Sequence, residues 1–134
     1  MKQTIVLKSF ALIGAILLLT SQTTDDPVMT KEKDVTVINT TSLATDIEGY
    51  VGCTPVKVYI KAGKVLKVEA LENEETPKYF DMVVKGLMKK WNGLSVKTAE
   101  KQKVDVVTGA TISSEAVIEN VRRGIGYYNY MNKK

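Results

Sequence analysis

Histidine is missing altogether from these 134 residues, and cysteine occurs once, as Cys53. Without imidazole the chain has no His general base, no His-ligated metal and no His-held cofactor. A single thiol excludes an intrachain disulfide, a C-x-x-C-H haem attachment and a cysteine-ligated iron–sulfur cluster. Ser-His-Asp and Cys-His triads are equally out of reach. Electron transfer by such a chain therefore requires an organic cofactor. Arginine-rich runs and aromatics interleaved with basic residues are also lacking, and no nucleic-acid partner is expected. The net charge of +4 falls to +2 without Lys2 and Lys8, with lysines and carboxylates mixed along the remainder.

What is present suits one ordinary domain. Hydrophobic residues make up 44% and charged residues 25% of the chain, enough to bury a single core. Residues 1–23 have the layout of a signal peptide or N-terminal anchor: Lys2 and Lys8, an unbroken apolar run from Phe10 to Leu19, then Ser21-Gln22-Thr23 as a small-x-small cleavage site. The run falls short of the about 20 residues that a transmembrane helix needs. No cysteine follows it to carry a lipid, and the expectation is an exported protein on the periplasmic or extracellular side of the cytoplasmic membrane. Residues 24–47 read as a polar, flexible lead-in with a possible first strand at Val35-Thr36-Val37-Ile38.

The domain proper is expected over residues 48–130. Val56, Val58 and Ile60 alternate with Lys57, Tyr59 and Lys61, the period of a half-buried strand, and Ala62-Gly63 turns it back through Val65 to Leu71. Thr76-Pro77 opens a helix as N-cap and first helical residue. Tyr79, Val83 and Leu87 form one apolar column and Phe80, Val84, Met88 and Trp91 the next, and Asn92-Gly93 closes the helix. Leu94 to Lys103 is a polar connector, and Val104 to Val107 a last short strand. A second amphipathic helix follows, with Val117, Ile118, Val121 and Ile125 on one face and its end weakened by Gly124 and Gly126. The expected class is α+β: a small antiparallel sheet with a central hairpin packed against two amphipathic helices. Tyr127, Tyr128 and Tyr130 read as packing or edge residues.

The stretch from Asp105 to Ser114 carries the chemistry. Gly109 permits a positive φ, and Thr111, Ser113 and Ser114 are each suited to cap the helix that follows. The free N–H groups of the first turn, with the positive end of the helix dipole, favour an anion such as a phosphate. D-x-x-T-G-A-T, from Asp105 to Thr111, resembles the flavinylation motif of the FMN-binding domain family, which includes subunits of the sodium-translocating NADH:quinone reductase and of the Rnf electron-transport complex. The resemblance extends from about Glu48 to Ile125. Glu48, Tyr50 and Gly52 match the family's opening, and Glu75-Thr76-Pro77 matches a segment near the flavin. Lys78-Tyr79 stands where members often continue with glycine.

The resemblance implies that FMN hangs by its phosphate from Thr111, attached by a separate flavin transferase of the ApbE type. Asp105, Thr108, Gly109 and Ala110 would frame the attachment, with Ser113, Ser114, Glu75 and Thr76 beside the cofactor. Asp105 is equally suited to hydrogen-bonding the following turn. No metal site and no catalytic dyad are visible, so the protein is expected to be a relay between a membrane-bound electron donor and an extracytoplasmic acceptor. The alternative is a secreted binding module or accessory subunit of a membrane redox complex, holding FMN noncovalently or not at all.

Overall fold

A computed structural model describes residues 27–133. The expected signal or anchor segment, residues 1–23, lies outside the described residues. Four strands form one antiparallel sheet in chain order: β1 (Met29–Glu32), β2 (Val35–Asn39), β3 (Val56–Lys61) and β4 (Lys64–Ala70). Three helices accompany it: α1 (Pro77–Leu87), α2 (Val96–Lys101) and α3 (Thr111–Met131). The α+β class is as expected.

The central hairpin follows from its residues. Ala62 and Gly63 take φ of 51° and 74°, a two-residue turn whose twist matches the strands. Pairing aligns Ile38, Val58 and Val68 on one face of the sheet, with Thr36, Ile60 and Val65 in the adjacent row. Val65 and Val68 are three apart, which strict alternation forbids. A register shift between Tyr59 and Ile60 absorbs the odd residue and leaves Leu66 exposed. That apolar face joins Phe80, Val83, Leu87 and Trp91 and, from α3, Val117, Val121 and Ile125 in one core cluster.

Several elements differ from expectation. The lead-in contains β1, a short charged edge strand whose side chains are mostly exposed; its backbone pairing with β2 places it, since no burial pattern marks it. Helix α1 stops at Leu87, and residues 88–93 continue in tight turns that lead the chain to β4. Gly93 N–H donates to Val65 O at 2.7 Å, and Val65 N–H donates to Leu94 O at 2.9 Å. That docking takes up the start of β4's outer edge, and Val104 to Val107 pairs with none of the described strands and stays an extended loop, with Val104 and Val107 packed on the core. The connector holds α2, capped by Ser95, whose Oγ accepts from Thr98 N–H at 3.2 Å. Only Ala99 of α2 is buried, so no apolar period announces the helix.

Helix α3 does not end near Ile125. Gly124 and Gly126 lie within it, and Gly124 is where the helix presses on the sheet: a Cβ there would sit 2.9 Å from Thr40 Cγ2. A buried polar knot secures the same contact. Thr40 Oγ1 donates to Asn120 Oδ1 at 2.6 Å and accepts from Val56 N–H at 2.9 Å. Tyr127 and Tyr128 pack against the core, and Tyr130 is exposed.

Candidate functional site

The start of α3, the start of α1 and the Gly49–Gly52 turn enclose a cleft of about 460 Å³, a size typical of small-molecule sites. Tyr50, Glu75, Thr76, Tyr79 and the run from Gly109 to Ser113 line it. Gly109 adopts φ +93°, which bends the chain from the extended loop into the helix at a position where a side chain would be strained.

The N-cap is not one of the expected hydroxyl residues. Ala110 holds it, with φ −142° and no side-chain oxygen to offer, and Thr111 is the first helical residue. Each serine hydroxyl is engaged elsewhere. Ser114 Oγ accepts from Val107 N–H at 3.0 Å, which straps the loop to the helix. Ser113 Oγ donates to Glu75 Oε1. Thr111 is exposed, and its hydroxyl has no hydrogen-bond partner among the described residues. The first-turn N–H groups of α3 thus meet the cleft with no side-chain cap in front of them.

Glu75 is 5% exposed, and its carboxylate is surrounded by donors. Oε1 accepts from Tyr50 N–H at 3.0 Å; Oε2 accepts from Val51 N–H at 2.6 Å and from Gly52 N–H at 3.0 Å. Burial pushes its carboxyl upward, but the Ser113 hydroxyl and the amides of Val51, Gly52 and Tyr50 outweigh it, and the group stays below its ordinary 4.5. Asn73 aims the residue by accepting Glu75 N–H at 3.0 Å on Oδ1.

The structure thus brings Glu75, Thr76, Gly109, Ala110, Thr111 and Ser113 around one cleft, with Ser114 directly behind. Asp105 and Thr108 are exposed on the approaching loop and do not line it. Among the described residues the Asp105 carboxylate makes no hydrogen bond, so the turn-supporting role is not seen. Tyr79 departs from expectation: it is 46% exposed at the cleft wall and is no part of the core column. Tyr50 and Ile112 also line the cleft and were not marked by spacing. The cue for Tyr50 is an aromatic set between Gly49 and Gly52, in a turn too open to bury it. Trp91 is buried as expected, and Cys53 is an exposed free thiol.

Fold and site define a class: a small α+β domain whose longest helix begins at a cleft with an unengaged hydroxyl beside uncapped amides. The chain belongs to the FMN-binding domain family, which it matches over residues 49–126. It is also 28% identical over 109 residues to a subunit of the ion-translocating oxidoreductase complex of Buchnera aphidicola subsp. Baizongia pistaciae, covering 71% of this chain and 50% of that protein. The chain therefore spans about half the length of this curated relative.

The cleft's residues fit FMN. Tyr50, Tyr79 and Ile112 would offer a flat ring an apolar wall, and the uncapped first turn of α3 would offer a phosphate N–H donors.

Proposed function

We propose that this chain is an exported electron carrier that holds FMN through a phosphoester on Thr111 Oγ1. The observation that carries the reading is Thr111 itself. Of the hydroxyls at the start of α3, it is the one exposed at the cleft with no hydrogen-bond partner among the described residues. Attachment forms the Oγ1–phosphorus bond as the flavin donor's phosphorus loses its leaving group with the bonding pair, and the hydroxyl proton passes to a base. A threonine hydroxyl is a weak nucleophile without such a base, and no side chain among the described residues is hydrogen-bonded to it. The base therefore belongs to a separate flavin transferase of the ApbE type, with Asp105 and Thr108 exposed on the loop where such an enzyme would recognise the motif.

When bound, the flavin supplies one- and two-electron transfer. The chain's residues hold and orient it: the first turn of α3 neutralises the phosphate, and Tyr50, Tyr79 and Ile112 bound the ring side. The relative's description as part of an ion-translocating oxidoreductase complex supports a place in a membrane redox complex, between a membrane-bound donor and an extracytoplasmic acceptor. The residues expected to direct export, 1–23, support the extracytoplasmic side.

The test is Thr111→Ala, co-expressed with a flavin transferase. Wild-type protein should gain the mass of an attached FMN and fluoresce in a denaturing gel. The variant should do neither while keeping its far-UV circular dichroism. Attached flavin in the variant defeats the assignment, and wild-type colour that leaves with the small-molecule fraction on denaturation establishes noncovalent binding instead.

A further inference from the structure

The Gly49–Gly52 turn has few means of holding its own position. Its ends are joined by the Glu48–Cys53 bridge and by Gly49 N–H donating to Gly52 O at 2.7 Å. The backbone N–H groups of Tyr50, Val51 and Gly52, however, converge on a single point, forming a concave anion site. The anion that fills it is the carboxylate of Glu75, more than twenty residues away in sequence. The turn is shaped for that group: a Cβ on Gly49 would lie 2.6 Å from Glu75 Oε1 and 3.0 Å from its Cδ. The remaining donor, Ser113 Oγ, comes from the first turn of α3, two residues beyond Thr111.

We propose that Glu75 is a positioning residue that locks the Gly49–Gly52 turn against the head of α3, and so fixes the ring of Tyr50 as a wall of the cleft. The inference rests on the reading of the cleft as the flavin site. Its acceptors are saturated by the chain's own donors, so the carboxylate acts through the turn and needs no contact with the cofactor. A carboxylate is required. Glutamine offers one acceptor oxygen, and its NH₂ donors would face amides that also donate. Tyr50 is 75% exposed, so the turn is held by this clamp and by little side-chain packing of its own.

Two measurements test the clamp on the full chain. In flavin-free protein, Glu75→Gln should speed amide hydrogen exchange at Tyr50, Val51 and Gly52 by roughly 10- to 100-fold, the equivalent of losing hydrogen bonds to a charged group. Amides in the middle of α3 should keep their wild-type rates. In flavin-loaded protein, iodide quenching of flavin fluorescence should rise in Glu75→Gln as far as it does in Tyr50→Ala, and no further in the double variant. Should Glu75→Gln fail to fold, Gly49→Ala attacks the same contact from the opposite side and should give the same pattern. Unchanged exchange at residues 50–52, equal acceleration throughout α3, or fully additive quenching overturns the proposal. If wild-type protein takes up no flavin, the reading of Thr111 fails, and the exchange rates alone decide the role of Glu75.

Discussion

Replacing Gly124 by alanine sets two effects of opposite sign against each other, and the structure says which prevails. In a helix interior alanine is favoured over glycine by about 1 kcal/mol. At Gly124, however, the new methyl would lie 2.9 Å from Thr40 Cγ2 and 3.5 Å from the Cγ2 atoms of Ile38 and Val58. Thr40 is fully buried and cannot rotate away cheaply, because its hydroxyl is bonded to both Asn120 and the backbone of Val56. Helix and sheet must separate by several tenths of an ångström, or the polar knot must break. Overpacking costs about 1–3 kcal/mol, and with Thr40 pinned the upper part of that range, about 2–3 kcal/mol, applies; less the helix gain of about 1 kcal/mol, the expected net loss is about 1–2 kcal/mol. In a domain of this size that lowers the melting temperature by roughly 5–10 °C. Gly126→Ala is the internal control. Among the described residues its Cβ meets only the end of the Glu100 side chain, Oε2 at 3.1 Å and Cδ at 3.6 Å, so the helix-propensity gain should survive in part. Urea denaturation followed by far-UV circular dichroism measures both. A Gly124→Ala protein as stable as wild type, or less damaged than Gly126→Ala, would refute this account of the helix–sheet contact.

Acid should remove the stability that the Glu75 clamp contributes. Glu75 is held below its ordinary 4.5, so its contribution is fully present above that value and is lost as pH falls through the lower folded value. Stability measured by urea denaturation should therefore decline below about pH 4.5 in wild type and decline less steeply in Glu75→Gln; parallel profiles would count against the clamp. Asp105→Asn should leave the melting temperature unchanged, because this exposed carboxylate makes no hydrogen bond among the described residues, yet slow flavin attachment in a gel-fluorescence time course. Equal attachment rates would remove Asp105 from the recognition frame. Ser95→Ala deletes the cap of α2 and should cost about 1 kcal/mol in the same urea assay, with no effect on flavin attachment.

How far the fold could be read depended on whether local pattern or tertiary pairing decided each element. The β3–β4 hairpin was legible because alternation and turn chemistry agree at Val56–Ile60 and Ala62-Gly63. Helix α1 was legible for the same reason at its start, where Pro77 follows Thr76, although the Thr76 side chain makes no capping bond. The failures were tertiary. Val104 to Val107 has the composition of a strand, but it joins none of the described strands, and Gly93 and Leu94 dock instead on the start of the β4 edge at Val65. Gly124 and Gly126 look like a helix end, yet close packing against Thr40 explains the first far better than termination does. Strand β1, with one half-buried residue, is specified by its partner and not by its own sequence.

The site shows the same division at the scale of single hydroxyl groups. In sequence, Thr111, Ser113 and Ser114 are equivalent: each stands within one turn of a helix start and each is able to cap it. The fold separates them by direction. Consecutive positions on a helix point about 100° apart, and Ser114 accordingly reaches back to Val107 whereas Ser113 turns toward Glu75. Neither is free to cap, and with Ala110 at the N-cap no other side chain among the described residues does so. A helix start stripped of its own caps would normally be a defect worth about 1 kcal/mol. Here the defect faces a cleft beside the one hydroxyl left unengaged, and an incoming phosphate would supply the missing acceptors. An alanine at position 110 is thus as informative as the threonine after it: restoring a cap with Ala110→Ser should raise the urea midpoint of the flavin-free chain and, by occupying the amides that would receive the phosphate, slow FMN attachment in the gel-fluorescence time course.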